Sequence, residues 1–262
     1  MSVALTQSID VAQVVLYAFW IFFAGLVFYL RREDRREGYP TEEDNPKQVH
    51  PAGAILMPPP KTYRLLHGGV TTVPNSNRDG REIGAERTSP ASGFPLQPVG
   101  DPMLSNAGPA SYAQRADVPE RTREGHDAIV PMRAAPDFSV DAGPDPRGWA
   151  VVGADGEVAG RVTDIWVDRA DVLARYLEME LAAARAPGGA SAPGRRLIPM
   201  TMLRLAAEPR QVRVHALKAG HFEKVPVLKN PDQVTLLEEE RIGAYYAAGR
   251  LYADPRRLGP VL

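Results

Sequence analysis

The ten residues WVDRADVLAR, Trp166 to Arg175, place two carboxylates, Asp168 and Asp171, and two guanidiniums, Arg169 and Arg175, within a short distance along the chain. Asp168 and Asp171 carry side chains that can take and release a proton, and Arg175 carries a fixed positive charge that can tune them. Two carboxylates brought close together raise the proton affinity of one of them, and a neighbouring guanidinium lowers it. If the three face one another, their titrations are coupled. The same spacing also fits a solvated turn. In that arrangement Asp171 caps the backbone and Arg175 pairs with it at the surface, an interaction worth about 0–1 kcal/mol. Spacing alone leaves both readings open.

Other chemistry is sparse. The chain has no P-loop, G-x-G-x-x-G, G-x-S-x-G or H-E-x-x-H motif. Its five histidines, His50, His67, His126, His215 and His221, are dispersed. His215 and His221 stand six positions apart, a weak spacing for metal ligation. There is no cysteine, so disulfides and thiolate metal sites are excluded. A formal charge of −1 over 262 residues argues against a general nucleic-acid binder.

The elements that must position these groups begin with a membrane span. Residues 11–30, VAQVVLYAFWIFFAGLVFYL, carry no charge. At 1.5 Å per residue they reach about 30 Å, the thickness of a hydrocarbon core. The ten residues before them lack Lys and Arg, while Arg31, Arg32, Arg35 and Arg36 follow at once. This asymmetry predicts a single-pass helix with residues 1–10 outside and the bulk of the chain in the cytoplasm. Glu33, Asp34 and Glu37 offset most of that positive charge, so a polybasic lipid patch is not expected.

Of the 25 prolines, 17 lie between Pro40 and Pro146, which predicts an extended, turn-rich segment over 31–148. Anchors such as Phe94, Leu96, Met103 and Tyr112 suggest a segment laid across a partner's surface. From 149 to 262 the pattern becomes one of short strands. A hairpin signal sits at Ala154-Asp155-Gly156. YLEMEL alternates, with Leu177, Met179 and Leu181 on one face and Tyr176, Glu178 and Glu180 on the other. AAARAPGGASAPG reads as a long solvent-exposed loop, and Thr235 and Glu238 have capping-box spacing ahead of a final helix. The expected architecture is one N-terminal transmembrane helix plus a mainly-β cytoplasmic domain. That domain is a small antiparallel barrel, closed or nearly so, with a C-terminal helix.

Several strings carry a family likeness: LYAFWIFFAGLVFYL, REGYP, GFPLQPVGDPM, GPASYA, IVPM, VTDIWVD, LIPM and VTLLEEERIGAYYAAG. In this order, from about Val11 to Tyr252, they resemble the H subunit of the photosynthetic reaction centre of purple bacteria. The resemblance implies a PRC-barrel domain that caps the L and M subunits beside their quinones, in the bacterial inner (intracytoplasmic) membrane. Light-harvesting 1 polypeptides and membrane lipids are further implied partners. It also implies that bacteriochlorophyll, bacteriopheophytin, quinones and a non-haem iron are held in L and M, with none ligated by this chain.

The family's second role is proton delivery to the secondary quinone, and the resemblance assigns it here to Asp168, Asp171 and Arg175. In VPERTREGHDAIVPM it adds Glu124 and His126 as the uptake groups. Histidine suits that task, since its ordinary pKa of about 6.5 lies near neutrality. This chain departs from the family's pattern, which has glutamate at Asp171, histidine at Glu124 and aspartate at Thr122. The alternative function is a membrane-tethered PRC-barrel adaptor without a photochemical role.

Overall fold

The computed structural model describes residues 10–37, 57–66, 68–75, 79–90, 94–141, 143–182 and 194–258. The expected outer segment before Asp10, His50, His67, and residues 183–193 of the long loop lie outside the described residues. The chain forms two compact units, Met1–Gly80 and Arg81–Leu262.

In the first unit, helix α1 (Val11–Glu33) starts at Asp10, whose carboxylate accepts from the Ala12 N–H at 2.9 Å. It runs past the expected end at Leu30 because Arg31, Arg32 and Glu33 are good helix formers, and a basic last turn suits a helix C-terminus. The helix is long and apolar enough to cross a membrane, and none of its side chains is buried. Phe19, Trp20 and Phe23 make a small aromatic cluster with ring centroids 5.5–5.9 Å apart.

Beyond the helix, β1 (Lys61–Arg64) and β2 (Val70–Val73) form an antiparallel hairpin. Arg36 ties the two together. Its guanidinium donates to both Glu33 oxygens at 2.7 and 2.8 Å, and to the carbonyls of Pro59 at 2.7 Å and Val73 at 3.3 Å. Lys61 Nζ reaches the same Glu33 at 3.0 Å.

The second unit opens with the hairpin of β3 (Ala85–Arg87) and β4 (Leu96–Pro98). Seven further strands make one sheet: β5 (Ile129–Pro131), β6 (Ala150–Val152), β7 (Val158–Asp168), β8 (Leu173–Leu181), β9 (Arg195–Pro199), β10 (Leu203–Ala206) and β11 (Gln211–Val214). Their order is β10-β11-β6-β7-β8-β9, with β5 also paired to β7. The β6–β7 hairpin turns at Ala154-Asp155-Gly156, where Gly156 takes φ +80°, open to glycine without strain. The ladder between β11 and β6 is parallel, unlike the rest. Among the described residues no ladder joins β9 to β10, so the barrel is open there.

Helix α2 (Leu236–Tyr252) covers the core with Ile242, Tyr245 and Tyr246. Its capping box is formed: Thr235 Oγ1 accepts from the Glu238 N–H, and Glu238 returns the bond to the Thr235 N–H. The buried tyrosine hydroxyls are satisfied by carbonyls, Tyr246 on Leu197 at 3.0 Å and Tyr245 on His221 at 2.8 Å. Ahead of the sheet, the Tyr112 ring lies between the guanidiniums of Arg81 and Arg241, 4.2 and 5.6 Å from its centroid. This pair of cation–π contacts pins the leading segment to α2.

Strand β8 departs from simple alternation. Tyr176, Leu177, Glu178 and Met179 are all buried, and Glu178 is only 2% exposed. Its carboxylate accepts from Arg133 Nη1 at 3.1–3.2 Å, Trp166 Nε1 at 3.1 Å and Thr163 Oγ1 at 2.9 Å. The same Arg133 pairs with buried Asp164 at 3.0 Å and with Asp232 at 2.9 Å. The face that carries Glu178 is therefore covered in part by the short helical turn Met132–Ala134 that follows β5.

Two substitutions test this packing. Arg133→Met removes the closest cation from two buried carboxylates, leaving Glu178 with Arg195 at 3.5 Å, and breaking such a network costs about 3–5 kcal/mol. Urea denaturation followed by Trp166 fluorescence reads that loss as a lower midpoint. Gly249→Ala gains up to about 1 kcal/mol of helix propensity. The added Cβ, however, meets the Ala216 carbonyl at 2.7 Å and runs into Leu217 Cδ2. Overpacking of this kind costs about 1–3 kcal/mol. The expected net result is destabilisation, and an unchanged midpoint would show that α2 can shift.

Candidate functional site

Asp168 is the last residue of β7, and the turn of residues 169–172 leads straight into β8. Asp168 is 3% exposed. Its Oδ1 accepts from the backbone N–H groups of Ala170 at 2.9 Å and Asp171 at 3.1 Å, so Asp168 itself caps the turn. Its Oδ2 faces Arg175 Nε at 3.4 Å. The guanidinium thus pairs with Asp168 rather than Asp171. Asp171 is exposed and joins the cluster through its backbone N–H. Val172 completes the turn at φ +54°, a left-handed conformation that costs a β-branched residue about 1–3 kcal/mol.

The Glu124 and His126 segment reaches the same end of the sheet by a different route. The backbone closes a small loop, with Thr122 N–H on the His126 carbonyl at 2.7 Å and Gly125 N–H on Thr122 at 2.9 Å. Gly125 sits at φ +89°, as the reversal requires. Glu124 and His126 are exposed on this loop. Arg121 and Gln233 both hold Asp127, at 3.2 and 2.9 Å. The chain then enters β5, where Ile129 pairs directly with Asp168. Arg169 N–H donates to the Ala128 carbonyl at 2.8 Å, so the two segments run side by side up to the turn.

Two further residues stand at this end of the sheet. The Tyr176 hydroxyl donates to Glu239 Oε2 at 2.7 Å, joining β8 to the first turn of α2. Burial pushes the Glu239 carboxyl above the ordinary carboxylate range, while Tyr176 and Arg175 oppose the rise. Burial, then the Glu239 charge, raises the Tyr176 phenol far above its usual value and keeps it neutral. An open cleft of about 680 Å³ is lined by Arg115, Arg175, Tyr176, Glu239 and Glu240, among others. Sequence reading missed this pair. Tyr176 had been placed on the polar face of a strand, and Glu239 stood beside the capping glutamate with nothing to mark it.

Two other features carry no site. A cleft of about 570 Å³ beside Arg133, Asp145, Arg147, Asp164 and Glu178 is lined by charged groups that already pair with one another. Among the described residues there is no group of three or more His, Cys, Asp or Glu arranged to hold a metal ion. His215 is exposed, and His221 is half-buried, its Nδ1 accepting from the Lys218 N–H.

Comparison with known families agrees with this architecture. Residues 139–220, which include Asp168, Asp171 and Arg175, match the PRC-barrel domain. Residues 3–134, half of the chain, match the N-terminal region of the photosynthetic reaction centre H-chain, and this match takes in α1, the first hairpin and the Glu124–His126 loop. The chain belongs to the photosynthetic reaction centre H-chain family.

Proposed function

We propose that this chain is the non-pigment-binding H subunit of a purple-bacterial reaction centre and has two tasks. It stabilises the L and M subunits on their cytoplasmic side, and it helps deliver protons to the secondary quinone. The membrane helix enters with its N-terminus in the periplasm, and Arg31, Arg32 and Arg35 mark the cytoplasmic end. Pigments, quinones and iron reside in L and M. Light-harvesting 1 polypeptides and lipids surround the span. The chain performs no catalysis of its own.

The observation that carries the proton reading is the pairing of Ile129 with Asp168. It sets Ile129, three residues after the exposed His126, directly against Asp168, whose carboxylate pairs with Arg175. His126 takes protons from solvent, and ordered water carries them on to the carboxylates of the turn. Asp171, free of the Arg175 pair, takes and releases the proton. Asp168 and Arg175 hold the turn and set its field.

Asp168→Asn combined with Asp171→Asn tests this directly. An asparagine oxygen can still accept the two backbone N–H bonds, so the turn survives. The expected result is a second, proton-coupled electron transfer to the quinone slowed by roughly tenfold or more, with primary charge separation intact. Flash-induced absorption kinetics across a range of pH measure both, and unchanged second-transfer kinetics would remove Asp168 and Asp171 from the path. A separate outcome checks the assembly. Purification from native membranes should bring down bacteriochlorophyll absorbing in the near infrared. A colourless monomer would favour the membrane-tethered adaptor.

A further inference from the structure

Glu239 occupies an unusual position for a carboxylate in the first turn of a helix. Its neighbour Glu238 is consumed by the capping box and by the Lys229 N–H. Its other neighbour, Glu240, faces Arg115 at 3.8 Å. Glu239 instead turns towards β8, where the Tyr176 hydroxyl is its close partner at 2.7 Å. A neutral phenol neutralises no charge. What it does offer is a hydroxyl that can donate to a carboxylate or accept from a carboxylic acid.

The surroundings fit a group that changes protonation state. Facing Glu239 are Tyr176 and Arg175 from β8, with Glu120 and Arg115 from the segment that runs beside α2. The two cations favour its charged form, while Glu120 and burial oppose it. Burial raises its proton affinity above that of an ordinary carboxylate. The cleft of about 680 Å³ alongside admits solvent to it. Arg175 acts on Glu239 electrostatically and also pairs with Asp168. Protonation of one carboxylate therefore alters the field on the other through a single guanidinium.

We propose that Glu239, held by the Tyr176 hydroxyl on the cleft wall, is a further proton-carrying carboxylate, coupled to Asp168 through Arg175. This rests on the reading of the chain as a proton-delivering subunit and adds a second, cleft-facing branch to it. The step is simple proton exchange. Glu239 takes one proton from cleft water to become the neutral acid, then releases one to the next acceptor and returns to the carboxylate. Tyr176 stays neutral throughout and reverses only the direction of its hydrogen bond.

The test uses the assembled reaction centre with Glu239→Gln and Tyr176→Phe, checked first for an unaltered pigment spectrum. Light-minus-dark infrared difference spectra should contain a carboxylic-acid carbonyl band that Glu239→Gln abolishes. The Tyr176 hydrogen bond favours the charged form. Tyr176→Phe should therefore move the midpoint of that band to higher pH. The proton-coupled electron transfer should slow roughly tenfold in Glu239→Gln at alkaline pH, where proton supply limits the rate.

No Glu239 band, with wild-type kinetics in both variants, would overturn the proposal and leave Glu239 as a packing residue. If Glu239→Gln fails to assemble, Tyr176→Phe decides: an unmoved band and an unmoved rate overturn it. The double variant at Asp168 and Asp171 separates the two readings. If it slows the transfer while Glu239→Gln does not, only the present proposal fails. If neither affects the rate, proton delivery by this chain fails as well.

Discussion

A carboxylate is buried within β8, and two arginines, Arg133 closest and Arg195 at 3.5 Å, make that possible. Glu178 sits in the middle of β8 with both faces of the strand covered, where a lone charge would be prohibitive. Arg133 supplies the counter-charge, while the Trp166 indole and the Thr163 hydroxyl occupy other lone pairs. Arg133 also donates to the Pro231 carbonyl at 2.6 Å, ahead of the final helix. Three distant parts of the chain therefore converge on one guanidinium.

That convergence reaches the proposed proton route. Arg133 can lie over β8 only if the residues before it run along β7, and those residues are β5. Pairing of β5 with β7 in turn fixes Ala128 beside Arg169 and Ile129 beside Asp168. The Glu124–His126 loop is thus held at the end of the sheet by the strand that leads directly into Arg133, the residue that neutralises the buried glutamate. Loosening that strand is therefore felt both at the loop and at Glu178.

The elements with strong local signals were legible in the sequence. The uncharged run from Val11, the capping box at Thr235 and Glu238, and the turn at Ala154-Asp155-Gly156 each depend on neighbours a few residues away. Glu178 was not legible, because alternation in YLEMEL implies a wet face and cannot show that Arg133, 45 residues upstream, dries it. The pair of Tyr176 and Glu239 spans 63 residues and has no local mark at all. Within the turn, spacing alone suggests Asp171 as the cap and as the partner of Arg175. The choice fell to Asp168 because it alone ends the strand, with its oxygens placed for both the backbone and the guanidinium.

Arg36 has a different consequence. Its fork serves four acceptors at once: two oxygens of Glu33 and two carbonyls of the following hairpin. A lysine would keep the charge but present three donors from a single point, unable to span a carboxylate and two carbonyls in fixed directions. The usual conservative exchange is therefore closed at this position. Through that one planar group the end of the apolar helix is anchored to the hairpin that follows it, so the direction in which the chain leaves the helix is set by a single side chain.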